Sequence, residues 1–152
     1  RCPLLRPDIL LTRAYKMINL YNSTQKKPHT YAGELVLYPA QAHMIEIIGS
    51  SPGIHLSEIA DEYLITKGAV SQTISFLFKK GLILKKPSEK GGRSVGLFLS
   101  DLGKTVLEQH RALHRCMTDE VSRLAKGLSP EALDILTQIA DVIEKNIRNM
   151  KS

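Results

Sequence analysis

Residues 57–87 read SEIADEYLITKGAVSQTISFLFKKGLILKKP, and the order of signals in that stretch decides the fold. Ser57 precedes a short periodic run and is expected to cap a helix over residues 58–64, with Ile59, Ala60, Tyr63 and Leu64 facing inward. Thr66 caps a second helix from Lys67, on which Val70, Ile74, Leu77 and Phe78 recur at i, i+4, i+7 and i+8 until Gly81 stops it. Two helices joined by about three residues make a helix-turn-helix. After Gly81 the period turns extended: Leu82-Ile83-Leu84 leads through Lys85, Lys86 and Pro87 to a glycine-rich, charged segment, and residues 95–99, Val-Gly-Leu-Phe-Leu, return as a second strand. A hairpin directly behind a helix-turn-helix is a wing.

Working outward, Leu10, Leu11, Ala14, Met17, Ile18 and Tyr21 share one face of a helix over residues 7–21. Residues 22–33 hold turn formers without periodicity and read as a connector. A helix with Pro39 at its first position runs to Gly49. Behind the wing, Ser100 caps a long helix from Asp101 to Lys126, with Leu102, Val106, His110, Leu113, Met117, Val121 and Leu124 along one side. Ser129-Pro130-Glu131 opens a last helix whose Leu133, Leu136, Ala140, Ile143, Ile147 and Met150 repeat every three or four residues. Ile135, Ile139 and Val142 widen that seam, which suits a helical bundle better than an isolated coiled coil. The fold class expected is therefore mainly α (α+β): a winged helix-turn-helix over residues 38–100, with a first dimerisation helix and connector over 1–37 and a long linker helix plus a second dimerisation helix over 101–152.

The 152 residues are 43% hydrophobic, enough to bury roughly 70% of the surface that the unfolded chain exposes. Two cysteines, Cys2 and Cys116, make no disulfide framework. Together with a start that lacks the order of a secretory signal and the absence of any membrane-length apolar run, this gives a cytoplasmic protein with no membrane partner as the expectation. The formal charge is +6, and most of it is local: between Lys79 and Val95 stand six basic residues (Lys79, Lys80, Lys85, Lys86, Lys90 and Arg93) against the single Glu89. A charge run alone usually marks only a solvated face. Its place here, on the wing and the end of the second helix of the motif, points to nucleic acid.

The major groove of B-DNA admits a helix whose amino-terminal residues reach the base edges. Thr66, Lys67, Gly68, Ala69, Ser71, Gln72 and Ser75 occupy that end, and none is acidic. Gln72 can pair with adenine, Lys67 can reach guanine or phosphate, and Gly68 and Ala69 permit close approach. Lys79, Lys80, Lys85, Lys86 and Lys90 would lie near phosphates, and Arg93 could enter the adjoining minor groove. Partners expected on this reading are double-stranded DNA and a second copy of the chain, since two recognition helices about 34 Å apart meet successive major grooves.

These residues also carry a resemblance. Leu56-Ser57-Glu58-Ile59-Ala60, then Thr66-Lys67-Gly68-Ala69-Val70-Ser71-Gln72, Leu77, Lys79-Lys80-Gly81-Leu82-Ile83, and Arg93 followed by Leu97-Phe98-Leu99-Ser100-Asp101-Leu102-Gly103 resemble the MarR family of transcriptional regulators over residues 38–107. One departure is Gly91, where the family usually has an aspartate that pairs with the wing arginine; Leu64 and Phe76 also depart from its pattern. The resemblance implies a homodimer interlocked through its terminal helices, binding a palindromic operator and often repressing transcription. It further implies no required cofactor and a small-molecule effector, often aromatic, held between the dimer helices and the winged domain.

Other chemistries are weaker. His110 and His114, at i and i+4 of a helix, could reach one metal ion, but no acidic third ligand falls on that face, so a core or surface pair is expected and no metal site is assigned. A thiol switch at Cys2 or Cys116 lacks a visible basic cradle. No phosphate loop follows a strand and no nucleophile has an evident base, so an enzyme is not expected. The remaining rival is a winged helix used for protein contact, which would present an apolar recognition surface.

Overall fold

A computed structural model describes residues 7–87 and 95–149. Cys2, Lys90, Gly91, Arg93 and Met150, all singled out above, lie outside the described residues. The chain separates into two compact units, one up to His110 and one from Arg111 onward.

The first unit runs α1 (Pro7–Thr24), β1 (His29–Tyr31), β2 (Leu35–Leu37), α2 (Pro39–Ser50), α3 (Leu56–Glu62), α4 (Lys67–Lys79), β3 (Ile83–Pro87), β4 (Val95–Leu99) and the start of α5 (Asp101–Ala125). It is mainly helical with small antiparallel hairpins, as expected of a winged helix. Its core gathers Ile45 and Ile48 of α2, Ile59 of α3, Val70, Ile74 and Leu77 of α4, Leu82, Ile83 and Leu97 around the wing, and Val106 of α5. Full burial of each such side chain contributes about 1.5–3 kcal/mol, which makes this cluster the principal source of the unit's stability.

Thr66 caps α4 as expected, its Oγ1 accepting from the Ala69 amide at 3.2 Å. Gly81 then takes the left-handed conformation, φ +70°, that turns the chain toward β3. In the wing, Ile83 pairs with Leu99 and Lys85 with Leu97. An outlying bridge between Ile54 and Leu97 adds a short third pairing to the hairpin.

Ser100 joins the two ends of this module. Its amide donates to the Leu82 carbonyl at 3.0 Å, its hydroxyl donates to the Gly81 carbonyl at 2.6 Å, and its Oγ accepts from the Gly103 amide at 3.0 Å. The helix stop after α4 and the helix start of α5 are thus held by one side chain. Gly103 completes the joint, because a Cβ there would run into the Leu82 carbonyl oxygen.

Four expectations need correction. Ser57 is not the cap of α3: the helix starts two residues earlier, behind His55, because the Glu58 carboxylate reaches back to accept from the His55 amide at 2.7 Å. Tyr63 and Leu64 do not face inward. The helix ends at Glu62, Leu64 turns to φ +54°, and both side chains are 44% exposed. Phe78 is 47% exposed rather than buried, its ring lying under the Lys85 ammonium. Residues 22–33 are not wholly a connector, since they hold the end of α1 and β1, which pairs with β2 through a turn at Ala32 and Gly33. That hairpin buries Tyr31 and is tied to α5 by the Ala32 amide donating to Gln109 Oε1 at 2.8 Å.

The second unit comprises the rest of α5 and α6 (Pro130–Asn149), which opens with Ser129 Oγ accepting from the Ala132 amide at 3.3 Å. Leu133, Leu136, Ala140 and Ile147 on α6 are exposed in the single chain and Ile143 is half-buried; Leu113, Met117, Val121 and Leu124 on α5 are exposed too. On α1, Leu11, Met17 and Ile18 are exposed and Leu10 and Ala14 half-buried. No residue of α1 or α6 is buried.

Candidate functional site

The amino-terminal turns of α4 present Thr66, Lys67, Gly68, Ala69, Ser71, Gln72 and Ser75, all exposed. The buried face of the helix, Val70, Ile74 and Leu77, fixes its rotation, so these seven residues point away from the core. No acidic side chain stands in the first turn, and the unpaired amides of a helix start favour a phosphate there.

Lys79, Lys80, Lys85 and Lys86 are exposed as well, and three of these cations rest on aromatic rings. The Nζ of Lys85 is 4.9 Å from the centre of Phe78, that of Lys86 is 5.2 Å from Phe98, and that of Lys80 is 5.8 Å from Phe76. Each contact is worth about 0.5–1 kcal/mol at such exposed sites. The rings therefore restrict where the ammonium groups sit without neutralising them. The base of the wing is fixed from the other side by His55, whose Nδ1 bonds the Val95 carbonyl at 3.0 Å. Helix start, lysine strand and wing base thus belong to the same unit and share its core.

A second constellation is one that the sequence shows only in part. His110 is 4% exposed on α5, and its ring meets the His43 ring of α2 edge-on with centroids 5.2 Å apart. His114 follows one turn later on the same helix. The residue beside His110 is thus not a carboxylate on α5 but an imidazole from α2. No spacing rule links it to the other two, although the apolar pattern of the second helix leaves His43 as a polar residue between the buried Ala42 and Met44.

Tyrosines flank two of these rings. Tyr21 Oη and His43 Nδ1 share a hydrogen bond of 3.0 Å with the rings stacked, and Tyr31 Oη and His110 Nδ1 share one of 3.2 Å. Burial pushes both phenols above their usual value, for Tyr21 against the opposing effect of a hydrogen bond with Gln25, so both are neutral at physiological pH. Imidazole nitrogens as a class suit zinc and other borderline divalent ions. Cys116, the other group considered for sensing, is exposed on α5 and free.

Comparison with known proteins agrees with the winged-helix fold. Residues 37–95 match the model of the MarR family. The uncharacterized HTH-type transcriptional regulator YkoM of Bacillus subtilis (strain 168) is 24% identical over 127 residues, covering 84% of this chain and 77% of the relative. Streptococcus pneumoniae FabT in complex with DNA superposes with a TM-score of 0.61 at 21% identity over 94% of this chain and 96% of FabT. The zinc-responsive MarR family member ZitR of Lactococcus lactis superposes with a TM-score of 0.62 at 16% identity over 92% of this chain and 97% of ZitR.

Proposed function

We propose, on the match of residues 37–95 to the model of the MarR family, that this chain is a transcriptional regulator and a sequence-specific binder of double-stranded DNA that acts as a homodimer on a palindromic operator, most simply as a repressor. The observation that carries this reading is the exposed, acid-free start of α4 beside the lysines of β3, all held by one core. Gln72 reads a base edge, Thr66, Lys67, Ser71 and Ser75 approach bases or backbone, and Lys79, Lys80, Lys85 and Lys86 contact phosphates. Polar side chains at the start of α4 favour DNA over the protein-contact alternative.

The apolar residues of α1 and α6 that a single chain leaves uncovered supply the dimer contact, through Leu10, Leu11, Ala14, Met17 and Ile18 on one helix and Leu133, Leu136, Ala140, Ile143 and Ile147 on the other. Working on DNA, the protein acts in the cytoplasm. Among the described residues no helix is long and apolar enough to cross a membrane. Selection of bound duplexes from a random pool at fixed salt tests the reading. A two-fold symmetric site should emerge; a protein that stays monomeric and retains no duplex in dilute buffer refutes it.

The signal that releases the dimer has two candidates. A small aromatic effector is the family's usual signal, and a thermal-shift screen paired with operator affinity tests it. The i, i+4 spacing of His110 and His114 on α5, with the His43 ring against His110, favours the second, a divalent metal, and the similarly folded ZitR is a zinc-responsive protein. On this reading zinc changes operator affinity in the wild type, and His114→Ala, at an exposed position, abolishes the response while leaving zinc-free affinity intact. Operator binding indifferent to zinc refutes the metal reading alone.

A further inference from the structure

Strand β4 stands between two neighbours. On one side it pairs with β3, with Lys85 opposite Leu97, Lys86 opposite Gly96 and Pro87 opposite Val95. On the other runs the short segment before α3, where the Leu97 amide donates to the Ile54 carbonyl at 3.0 Å and the Gly53 amide donates to the Leu97 carbonyl at 2.8 Å. The segments lie so close at Gly96 that a Cβ there would come within 3.0 Å of the Gly53 carbonyl oxygen. This pairing gives way where the chain turns into α3 at Leu56. Further along β4 the donor is a side chain, His55 Nδ1, 3.0 Å from the Val95 carbonyl. A carbonyl oxygen can only accept, so the ring proton of this bond sits on Nδ1. The backbone of His55 is fixed in turn, its amide donating to Glu58 Oε2 at 2.7 Å in the first turn of α3.

From this geometry we propose that His55 is a positioning residue for DNA binding, which holds the wing at a set angle to the helix-turn-helix so that Lys85 and Lys86 meet phosphates while α4 lies in the groove. The proposal rests on the DNA reading given above. A two-stranded hairpin is marginally stable by itself, so its direction depends on what it is tied to. The backbone bonds of Gly53 and Ile54 hold β4 at Leu97, opposite Lys85, and the imidazole holds it again at Val95, one pair beyond Lys86. Two anchors define a direction where one leaves a hinge. Ile59 of α3 and Val70 of α4 belong to one core, so a wing fixed to the start of α3 is fixed relative to the recognition helix as well. Phosphate contacts are what such an arrangement governs, since they set orientation on the duplex without reading its sequence.

The test uses the full chain, a duplex recovered from the random pool and a scrambled duplex, with affinity measured across a salt series and Tm alongside. His55→Ala removes the anchor at Val95. It should weaken both duplexes alike and make the slope of log K against log salt shallower by about one to two units, the share of one or two phosphates. Preference at the base pair read by Gln72 should stay. His55→Asn carries an amide nitrogen about where Nδ1 lies and should restore the slope, whereas His55→Gln, whose amide nitrogen matches Nε2 instead, should not. In a Lys85→Ala, Lys86→Ala background, His55→Ala should change the slope no further.

A His55→Ala protein with the wild-type slope overturns the proposal even if its Tm falls, because the imidazole then only supports the fold. So do His55→Asn and His55→Gln variants that behave alike, a comparison that decides the matter by itself should His55→Ala not fold. Wild-type protein that retains no duplex at any salt overturns the DNA reading along with it.

Discussion

Replacing Gly103 by alanine tests whether the joint between the wing and α5 is as closely packed as the structure shows. Inside an ordinary helix the change would stabilise the protein by about 0.5–1 kcal/mol, because alanine loses less backbone freedom on folding. Here the new methyl group meets the Leu82 carbonyl oxygen, with the Leu82 carbonyl carbon at 3.1 Å and Leu99 Cβ at 3.4 Å. The peptide cannot simply retreat, since the same oxygen accepts the Ser100 amide at 3.0 Å. Overpacking of this kind costs about 1–3 kcal/mol, and a stretched backbone hydrogen bond adds about 1 kcal/mol. The unfavourable contributions outweigh the helix gain by about 2 kcal/mol, a fall in Tm of about 4–8 °C for a chain of this size. Thermal unfolding followed by circular dichroism measures it. The control is Gly68→Ala: an added Cβ there meets nothing within 4 Å, so Tm should hold or rise slightly, while close approach to DNA suffers. A Gly103→Ala protein that melts at or above the parent temperature would refute the packing argument.

Gln72→Ala should relax the preference for one base pair by about 1–3 kcal/mol, read by competition between operator variants at one salt concentration. Lys85→Ala should weaken all sequences alike and make the slope of log K against log salt shallower by about one unit; an effect confined to one base pair would show that the lysine reads sequence instead. Leu136→Asp places a charge on the exposed seam of α6 and should leave the winged helix folded while shifting sedimentation toward monomer and lowering operator affinity at least 10-fold. A dimer unchanged by it would remove α6 from the subunit contact.

Much of the winged helix was legible in the sequence because its signals are local. A threonine cap at Thr66, a glycine stop at Gly81 and a serine cap at Ser100 each act on backbone groups within four residues, and each does in the structure what the sequence implied. Ser57 shows the limit of such signals, since a competing start from Glu58 to the His55 amide won. Tyr63, Leu64 and Phe78 were misplaced because apolar periodicity says which side chains could be buried, not where the helix ends or which ring a lysine will cover. The first hairpin escaped because strands of three residues are too short to show alternation. His43 is the instructive case for function: two histidines on one helix are visible as a spacing, whereas the imidazole from another helix that meets His110 is placed by the fold itself.

The ring contacts beneath the wing lysines separate two properties that are usually confounded, how many positive charges a surface carries and how much freedom each retains before an encounter. Lys85 over Phe78 and Lys86 over Phe98 have already given up part of their rotational freedom in the unbound protein. Aromatic-to-aliphatic changes at the two phenylalanines would leave every cation in place and still alter how readily the duplex is captured, so tuning of this regulator need not touch a single residue that meets DNA.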